Sequence, residues 1–279
     1  MYMRRISEIW IYPIKSLPGI RLAKTIVKQK GLQYDRRWML VDNDGRFLTQ
    51  REHPKMALFS VAITNDHIII STQTQVTDAV IRSIKLDLNA EVSDNFLNVN
   101  IWDDDVEAVE VNPGYSAWFS RQLNVECRLV FFPEEKRRDA DPDYAKNKEQ
   151  VSLADGYPFL IIGQSSLDEL NKKLKEPISI KRFRPNFVFM DGLPHEEDSW
   201  RNFTIGSVSF EGVKPCSRCV LITVNPETGE KGVEPLKELS TYRKKNSKVY
   251  FGENLLARSY GEVTEGDVIE IIDFKNQQI

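Results

Sequence analysis

Apolar positions in the first 130 residues fall in short runs cut by turn residues. Ile6-Ser7-Glu8-Ile9-Trp10-Ile11-Tyr12 alternates loosely and stops at Pro13. That is the pattern of a strand ended by a residue with no N–H to donate. Residues 23–29 also alternate loosely and end at a Lys30-Gly31 turn. Arg37-Trp38-Met39-Leu40-Val41 closes on Asp42-Asn43-Asp44-Gly45, a hairpin signal with Phe47-Leu48-Thr49 as the return strand. Further strands are predicted over 57–63, 67–71, 84–88, 96–101, 106–111 and 127–132. Trp118, Phe119 and Leu123, at near-helical spacing, predict a short helix over 115–123. Many short strands separated by turns predict a barrel or sandwich.

Residues 133–150 are highly charged and contain Glu134-Glu135-Lys136-Arg137-Arg138-Asp139, which reads as a linker or long surface loop. Phe159-Leu160-Ile161-Ile162 then predicts a strand. A helix is predicted over 166–175, with Ser166 and Glu169 as a capping box and Leu167, Leu170 and Leu174 on one face. Strands are expected over 187–190, 206–210, 219–224 and 267–272, with a turn at 225–229 and a short helix over 235–243. The expected fold class is α+β, β-dominated, with few helices and no regular βαβ alternation. The expected division is a β-barrel-like domain over 1–132, a charged linker over 133–150 and a second β-barrel domain over 151–279.

Length adds little beyond this: 279 residues accommodate one large domain or two ordinary ones. A net charge of -3 argues against a protein that coats nucleic acid. Three cysteines, an odd number, do not suit a secreted disulfide framework and fit a reducing compartment. The N-terminal run after Arg4-Arg5 is broken at once by Ser7 and Glu8, so no signal-peptide core is expected. No apolar segment approaches the ~20 residues that span a bilayer. A cytoplasmic protein without a membrane anchor is expected.

The sharpest chemical feature is Cys216-Ser217-Arg218-Cys219. It reads as half of a zinc site, although His53, His67 and His195 are isolated and no second ligand pair is present. It also reads as a dithiol redox pair, although it does not open a helix as such motifs do. A third reading makes one cysteine a thiolate ligand to a cofactor metal. The fourth is two small residues that pack. Three basic stretches read either as anion sites or as ordinary surface and salt-bridge positions. They are Lys15-Ser16 at a strand end, Arg36-Arg37 beside Asp35 at the start of an apolar strand, and Arg182-Phe183-Arg184-Pro185-Asn186. Residues 49–54 read either as a loop near a site or, by preference, as a surface turn. No Gly-x-Gly-x-x-Gly, P-loop or Gly-x-Ser-x-Gly motif occurs.

Taken in order, several stretches resemble the MOSC-domain family with its N-terminal β-barrel partner domain, which includes amidoxime-reducing proteins and the C-terminal part of molybdenum-cofactor sulfurases. They begin with Tyr12-Pro13-Ile14-Lys15-Ser16, Gly31-Leu32 with Asp35-Arg36-Arg37-Trp38, and Asp155-Gly156-Tyr157-Pro158-Phe159-Leu160. Phe183-Arg184-Pro185-Asn186, Glu197-Asp198-Ser199-Trp200, Pro215-Cys216-Ser217-Arg218-Cys219, Glu234-Pro235-Leu236 and Phe251-Gly252-Glu253-Asn254-Leu255 follow. The resemblance implies a molybdenum cofactor, molybdopterin carrying Mo, with Cys219 as the protein thiolate ligand. It places Lys15, Ser16, Arg36, Arg184 and Asn186 on the pterin phosphate, and Asp155, Gly156, Ser217 and Arg218 near the metal. Cys216 is expected to pack. The implied activity is reduction of N-hydroxylated compounds, with electrons from a separate flavin or iron–sulfur protein, because no four-cysteine cluster motif follows. The alternative is a cofactor carrier or sulfur-transfer module that uses a Cys219 persulfide. Neither membrane nor stable nucleic-acid binding is expected.

Overall fold

The computed structural model describes residues 3–72, 83–88 and 95–275. Strands in chain order are β1 Arg5–Ile11, β2 Ile20–Leu22, β3 Lys24–Lys28, β4 Gly31–Leu32, β5 Trp38–Val41, β6 Phe59–Ile63, β7 His67–Thr72, β8 Ser83–Asp87, β9 Phe96–Ile101, β10 Asp104–Glu110 and β11 Arg128–Phe131. There follow β12 Phe159–Gly163, β13 Phe187–Met190, β14 Trp200–Ile205, β15 Val208–Arg218, β16 Lys244–Lys245, β17 Lys248–Ala257, β18 Gly261–Thr264 and β19 Ile269–Phe274. The α-helices are α1 Pro113–Leu123, α2 Gln164–Lys173 and α3 Leu236–Tyr242. The β-dominated α+β class expected from the sequence is therefore what forms. Among the described residues no helix is long and apolar enough to cross a membrane.

The largest sheet runs β19-β14-β15-β17-β12-β13-β1-β2, with β16 paired to β17. Its two faces are set by strict alternation in β12. Phe159 and Ile161 enter one apolar cluster with Phe187, Phe189, Phe203 and Phe210. Leu160 and Ile162 enter another, with Leu167 and Leu170 of α2 and Leu239 of α3. A strand buried on both faces reads as a continuous apolar run, which is why 159–162 was legible. β12 and β13 are parallel and joined by α2, the crossover that parallel pairing requires.

β1 carries Ile6, Ile9 and Ile11 inward, a spacing that a regular strand cannot bury on one face. A bulge between Ile6 and Glu8 in its pairing with β13 resets the alternation. Strands from the first 32 residues thus pair with strands from the last hundred: β1 with β13, and β3 with β18. Residues between them build a four-stranded sheet β5-β11-β10-β9 and a three-stranded sheet β6-β7-β8. Trp38 and Leu40 of β5 face α1 through Trp118 and Phe119, while Met39 and Val41 face Val99, Ile101 and Phe132.

Three sequence expectations are corrected. Residues 219–224 do not form a strand. β15 extends to Arg218 and Val220–Thr223 is a 3-10 turn, because a short apolar run does not by itself distinguish a strand from a helical turn. The helix expected over 166–175 starts earlier, at Gln164. Ser166 is not its cap: its hydroxyl donates to the buried Glu197 at 3.1 Å and accepts from His195 N–H at 2.8 Å. Residues 57–58 belong to the 3-10 turn Pro54–Leu58 rather than to the strand that follows.

Candidate functional site

Polar side chains gather at one end of the large sheet. Residues 13–16 follow β1, residues 155–156 precede β12, and residues 184–186 precede β13. There the backbone is locked by Lys15 N–H to Trp38 O (2.7 Å), Arg36 N–H to Tyr12 O (2.9 Å) and Trp10 N–H to Asn186 O (2.8 Å). Ser16, Arg36 and Arg184 each hold positive φ, at 67°, 48° and 55°. Side chains in that region cost about 1–3 kcal/mol each and gather at functional sites.

The second wall comes from β15. Its pairing with β17 shifts register between Gly212 and Lys214 and again between Pro215 and Ser217. A regular strand turns alternate residues away, but two bulges within six residues let Lys214 through Cys219 all line one cleft. That cleft has a volume of ≈ 290 Å³. All ten residues proposed from the sequence line it: Lys15, Ser16, Arg36, Asp155, Gly156, Arg184, Asn186, Ser217, Arg218 and Cys219.

The cleft is electropositive by construction. Asp35, 1% exposed, accepts from Tyr12 N–H at 2.7 Å and from Arg36 Nη1 at 2.6 Å. Arg36 Nη2 donates to Arg184 O at 3.1 Å. Asn186 accepts from Arg36 Nη1 (3.3 Å) and Leu160 N–H (3.2 Å) and donates to Trp10 O (3.2 Å), so it acts on the site by aiming Arg36. The guanidinium carbons of Arg36 and Arg184 both lie 4.2 Å from the Tyr12 ring centroid. Burial, then the Arg36 charge, lower Arg184 to about 10. An anion between these groups would relieve both costs.

Arg218 meets the same need from the other wall. Its Nε donates to Phe251 O (2.9 Å) and its Nη1 to Phe183 O (3.0 Å), while its buried Nη2 has no partner. A buried charged donor without an acceptor is costly unless a ligand supplies one. A Cβ added at Gly156 would meet nothing within 4 Å, so the protein's own packing does not demand glycine there.

The two cysteines are not equivalent. Cys219 is exposed in the cleft at the start of the 3-10 turn Val220–Thr223. Cys216 is half-buried against the Leu160, Phe183 and Phe251 cluster, and burial pushes its thiol up. Among the described residues no group of three metal-ligating side chains is assembled.

The stretches match known proteins throughout. Residues 3–126 match the MOSC N-terminal beta barrel domain, and residues 148–270 match the MOSC domain. The chain is 31% identical over 250 residues to mitochondrial amidoxime reducing component 2 of Rattus norvegicus, covering 85% of this chain and 72% of that protein. It belongs to the MOSC-domain family. Mitochondrial amidoxime-reducing component 1 of Mus musculus is 29% identical over 284 residues, covering 96% of this chain and 82% of that one. The molybdenum cofactor sulfurase of Arabidopsis thaliana is 29% identical over 267 residues, 88% of this chain but 32% of that protein.

Lys15 offers a direct electrostatic test. Its Nζ donates to Leu153 O at 2.8 Å and to Asp155 at 2.6 Å. Burial lowers it to about 8; Asp155 opposes the shift, and Arg138 and Arg36 add to it. The Asp155 side chain is 71% exposed, so water weakens its pull. Sulfate affinity of the cofactor-free protein should therefore fall as pH rises from 7 to 9, by up to about tenfold, as Lys15 loses its proton. Titration calorimetry with Lys15→Met should give a flat profile over that range. The stability effect runs the other way. The unfolded chain holds this proton to about 10.5, so Lys15 makes the fold more stable as pH rises between about 8 and 10.5.

Phe47 and Trp102 also line the cleft and were not read as site residues, and with them stand Thr49 and Arg51, from the stretch read as a surface turn rather than as a loop near a site. They lie on turns of the β5–β11 sheet region whose local sequence looks like ordinary surface. Only tertiary structure brings them to the cleft.

Proposed function

We propose that the protein is a molybdenum-cofactor-dependent reductase of N-hydroxylated compounds. The observation that carries this reading is the exposed Cys219 thiol in the same cleft as Lys15, Arg36, Arg184 and Arg218. Four cations suit a phosphate-bearing cofactor, and a lone accessible thiol suits one soft-metal bond. The residues present fit the group: Arg218 holds an unpartnered donor, Arg36 and Arg184 repel each other until an anion is placed, and Gly156 leaves room. The amidoxime-reducing relatives support the choice of substrate class.

In this reading Lys15, Ser16, Arg36 and Arg184 hold the phosphate, with Asn186 aiming Arg36. Ser217, Arg218, Asp155 and Gly156 frame the metal end, and Cys219 provides the protein ligand. When bound, the cofactor supplies two-electron redox chemistry and an open coordination position. In the overall reaction the N–O bond breaks, the oxygen leaves as water, and two protons and two electrons are consumed. Solvent supplies the protons. A separate flavin or iron–sulfur protein supplies the electrons. A cofactor held in this cleft would lie between residues 13–16 and 184–186 on one wall and β15 on the other, with the exposed Cys219 within the same lining. Three cysteines, an odd number, suit a cytoplasmic, reducing setting.

The rival is a cofactor carrier or sulfur-transfer module in which Cys219 takes a persulfide, a reading the sulfurase relative supports. Turnover separates the two. Molybdenum-loaded protein with reduced methyl viologen should convert benzamidoxime to benzamidine. Loaded protein that gives no product with this donor would rule out the reductase in favour of the carrier.

A further inference from the structure

Phe47, Arg51 and Trp102 form a wall of the cleft that the cofactor reading leaves without a task. The Arg51 guanidinium carbon lies 4.2 Å from the Trp102 ring centroid and 5.9 Å from that of Phe47. Trp102 and Phe47 meet edge to face at 5.4 Å. Arg51 Nε donates to Thr49 Oγ1 at 3.2 Å, and Arg51 N–H donates to the same hydroxyl at 2.9 Å. Among the described residues, neither terminal nitrogen of Arg51 has a protein acceptor, and no carboxylate pairs with it. It differs in this from Lys15 and Arg36, each tied to an aspartate.

Trp102 itself is held at a cost. Its φ is 58°, left-handed for a bulky residue, and it remains 44% exposed. Its indole N–H donates to Asp155 Oδ1 at 3.1 Å, which fixes the ring beside the Lys15–Asp155 pair. A strained, half-exposed indole that carries a flat guanidinium on its face is a platform, and what it lacks is an anion to complete it. The half-exposed indole adds a flat apolar surface, which suits an aromatic or conjugated body.

We infer that Arg51, stacked on Trp102, binds a carboxylate of the substrate, so the preferred substrates are N-hydroxylated compounds that carry an acidic group on a planar body. This rests on the reductase reading for its turnover assay, but the binding assay does not. Loaded wild-type protein should show kcat/KM for 4-carboxybenzamidoxime at least about tenfold above that for benzamidoxime, the range of a charge-assisted hydrogen-bond pair. Arg51→Gln should collapse that ratio toward one, and Arg51→Lys should keep part of it. Quenching of Trp102 fluorescence by 4-carboxybenzamidoxime, with Trp102→Phe as control, should show affinity at least about tenfold weaker in Arg51→Gln than in wild type.

A wild-type ratio near one, or a ratio unchanged in Arg51→Gln, would overturn the assignment. So would loss of molybdenum from Arg51→Gln in step with activity, since Arg51 would then be a cofactor anchor. If neither compound is reduced by loaded protein, the reductase reading fails. The fluorescence titration still decides this inference: weaker binding in Arg51→Gln upholds it, and equal binding overturns it.

Discussion

Replacing Cys219 with serine is expected to abolish N-hydroxyl reduction, while Cys216→Ser retains most of it. The spacing Cys216-Ser217-Arg218-Cys219 suggests a symmetric pair, but the fold breaks that symmetry. The bulge between Pro215 and Ser217 carries the chain across the cleft, and the 3-10 turn then presents Cys219 to solvent. Cys216 stays against Leu160, Phe183 and Phe251, and burial disfavours its thiolate. Serine at 219 replaces a soft thiolate by a hard hydroxyl that stays protonated, and among the described residues no group of three metal-ligating side chains is assembled there. The expected loss is on the order of a thousandfold or more, about 4 kcal/mol of barrier. Steady-state turnover with benzamidoxime at matched molybdenum content measures it. Equal losses in both single variants would instead favour a dithiol that works as a pair.

Removing Asp35 should cost stability more than any other single change at the cleft. Asp35 and Arg36 form an ion pair at 2.6 Å with side chains 1% and 12% exposed. Asp35 also takes the N–H of Tyr12 at 2.7 Å, and its own carbonyl accepts from Ser152 at 2.9 Å. Asp35→Ala leaves Arg36 without its counter-ion and Tyr12 N–H without an acceptor. Breaking a buried pair in this way costs about 3–5 kcal/mol. Asp35→Asn keeps an acceptor for Tyr12 N–H and should lose less. Urea unfolding of cofactor-free protein reads both, and a loss below about 1 kcal/mol in Asp35→Ala would contradict the role given to this pair.

How much of this was legible in the sequence depended on how local each signal was. The strands Phe96–Ile101 and Phe187–Met190 were read with the bounds the structure gives. β14, β17 and β18 were not read. β17 carries Gly252 at φ 81° within its run, where a Cβ would stand 2.8 Å from Ile161 O, and β15 contains Gly212 and Pro215. Residues that normally break strands here mark bulges and close approaches. The pairing of β1 with β13, about 180 residues apart, leaves no local trace. Ser166 looked like a cap because a serine followed by a glutamate three residues later fits the rule, yet its hydroxyl is spent on Glu197.

At the cleft, the basic stretches stood out because arginine and lysine beside apolar strands need an explanation. Their positive-φ backbone, and the partnerless Nη2 of Arg218, appear only in three dimensions. The Arg51–Trp102 stack was not read because its two partners lie on separate turns: the 49–54 stretch reads by preference as a surface turn, and nothing local ties it to Trp102.

The measurement that bears most directly on the central claim is metal and pterin content. Protein purified from a host able to make the molybdenum cofactor should contain molybdenum and pterin in near-equal amounts, approaching one of each per chain. Arg184→Ala should lower both together, because the arginine would bind the shared phosphate. Wild-type protein that carries neither molybdenum nor pterin would contradict the account.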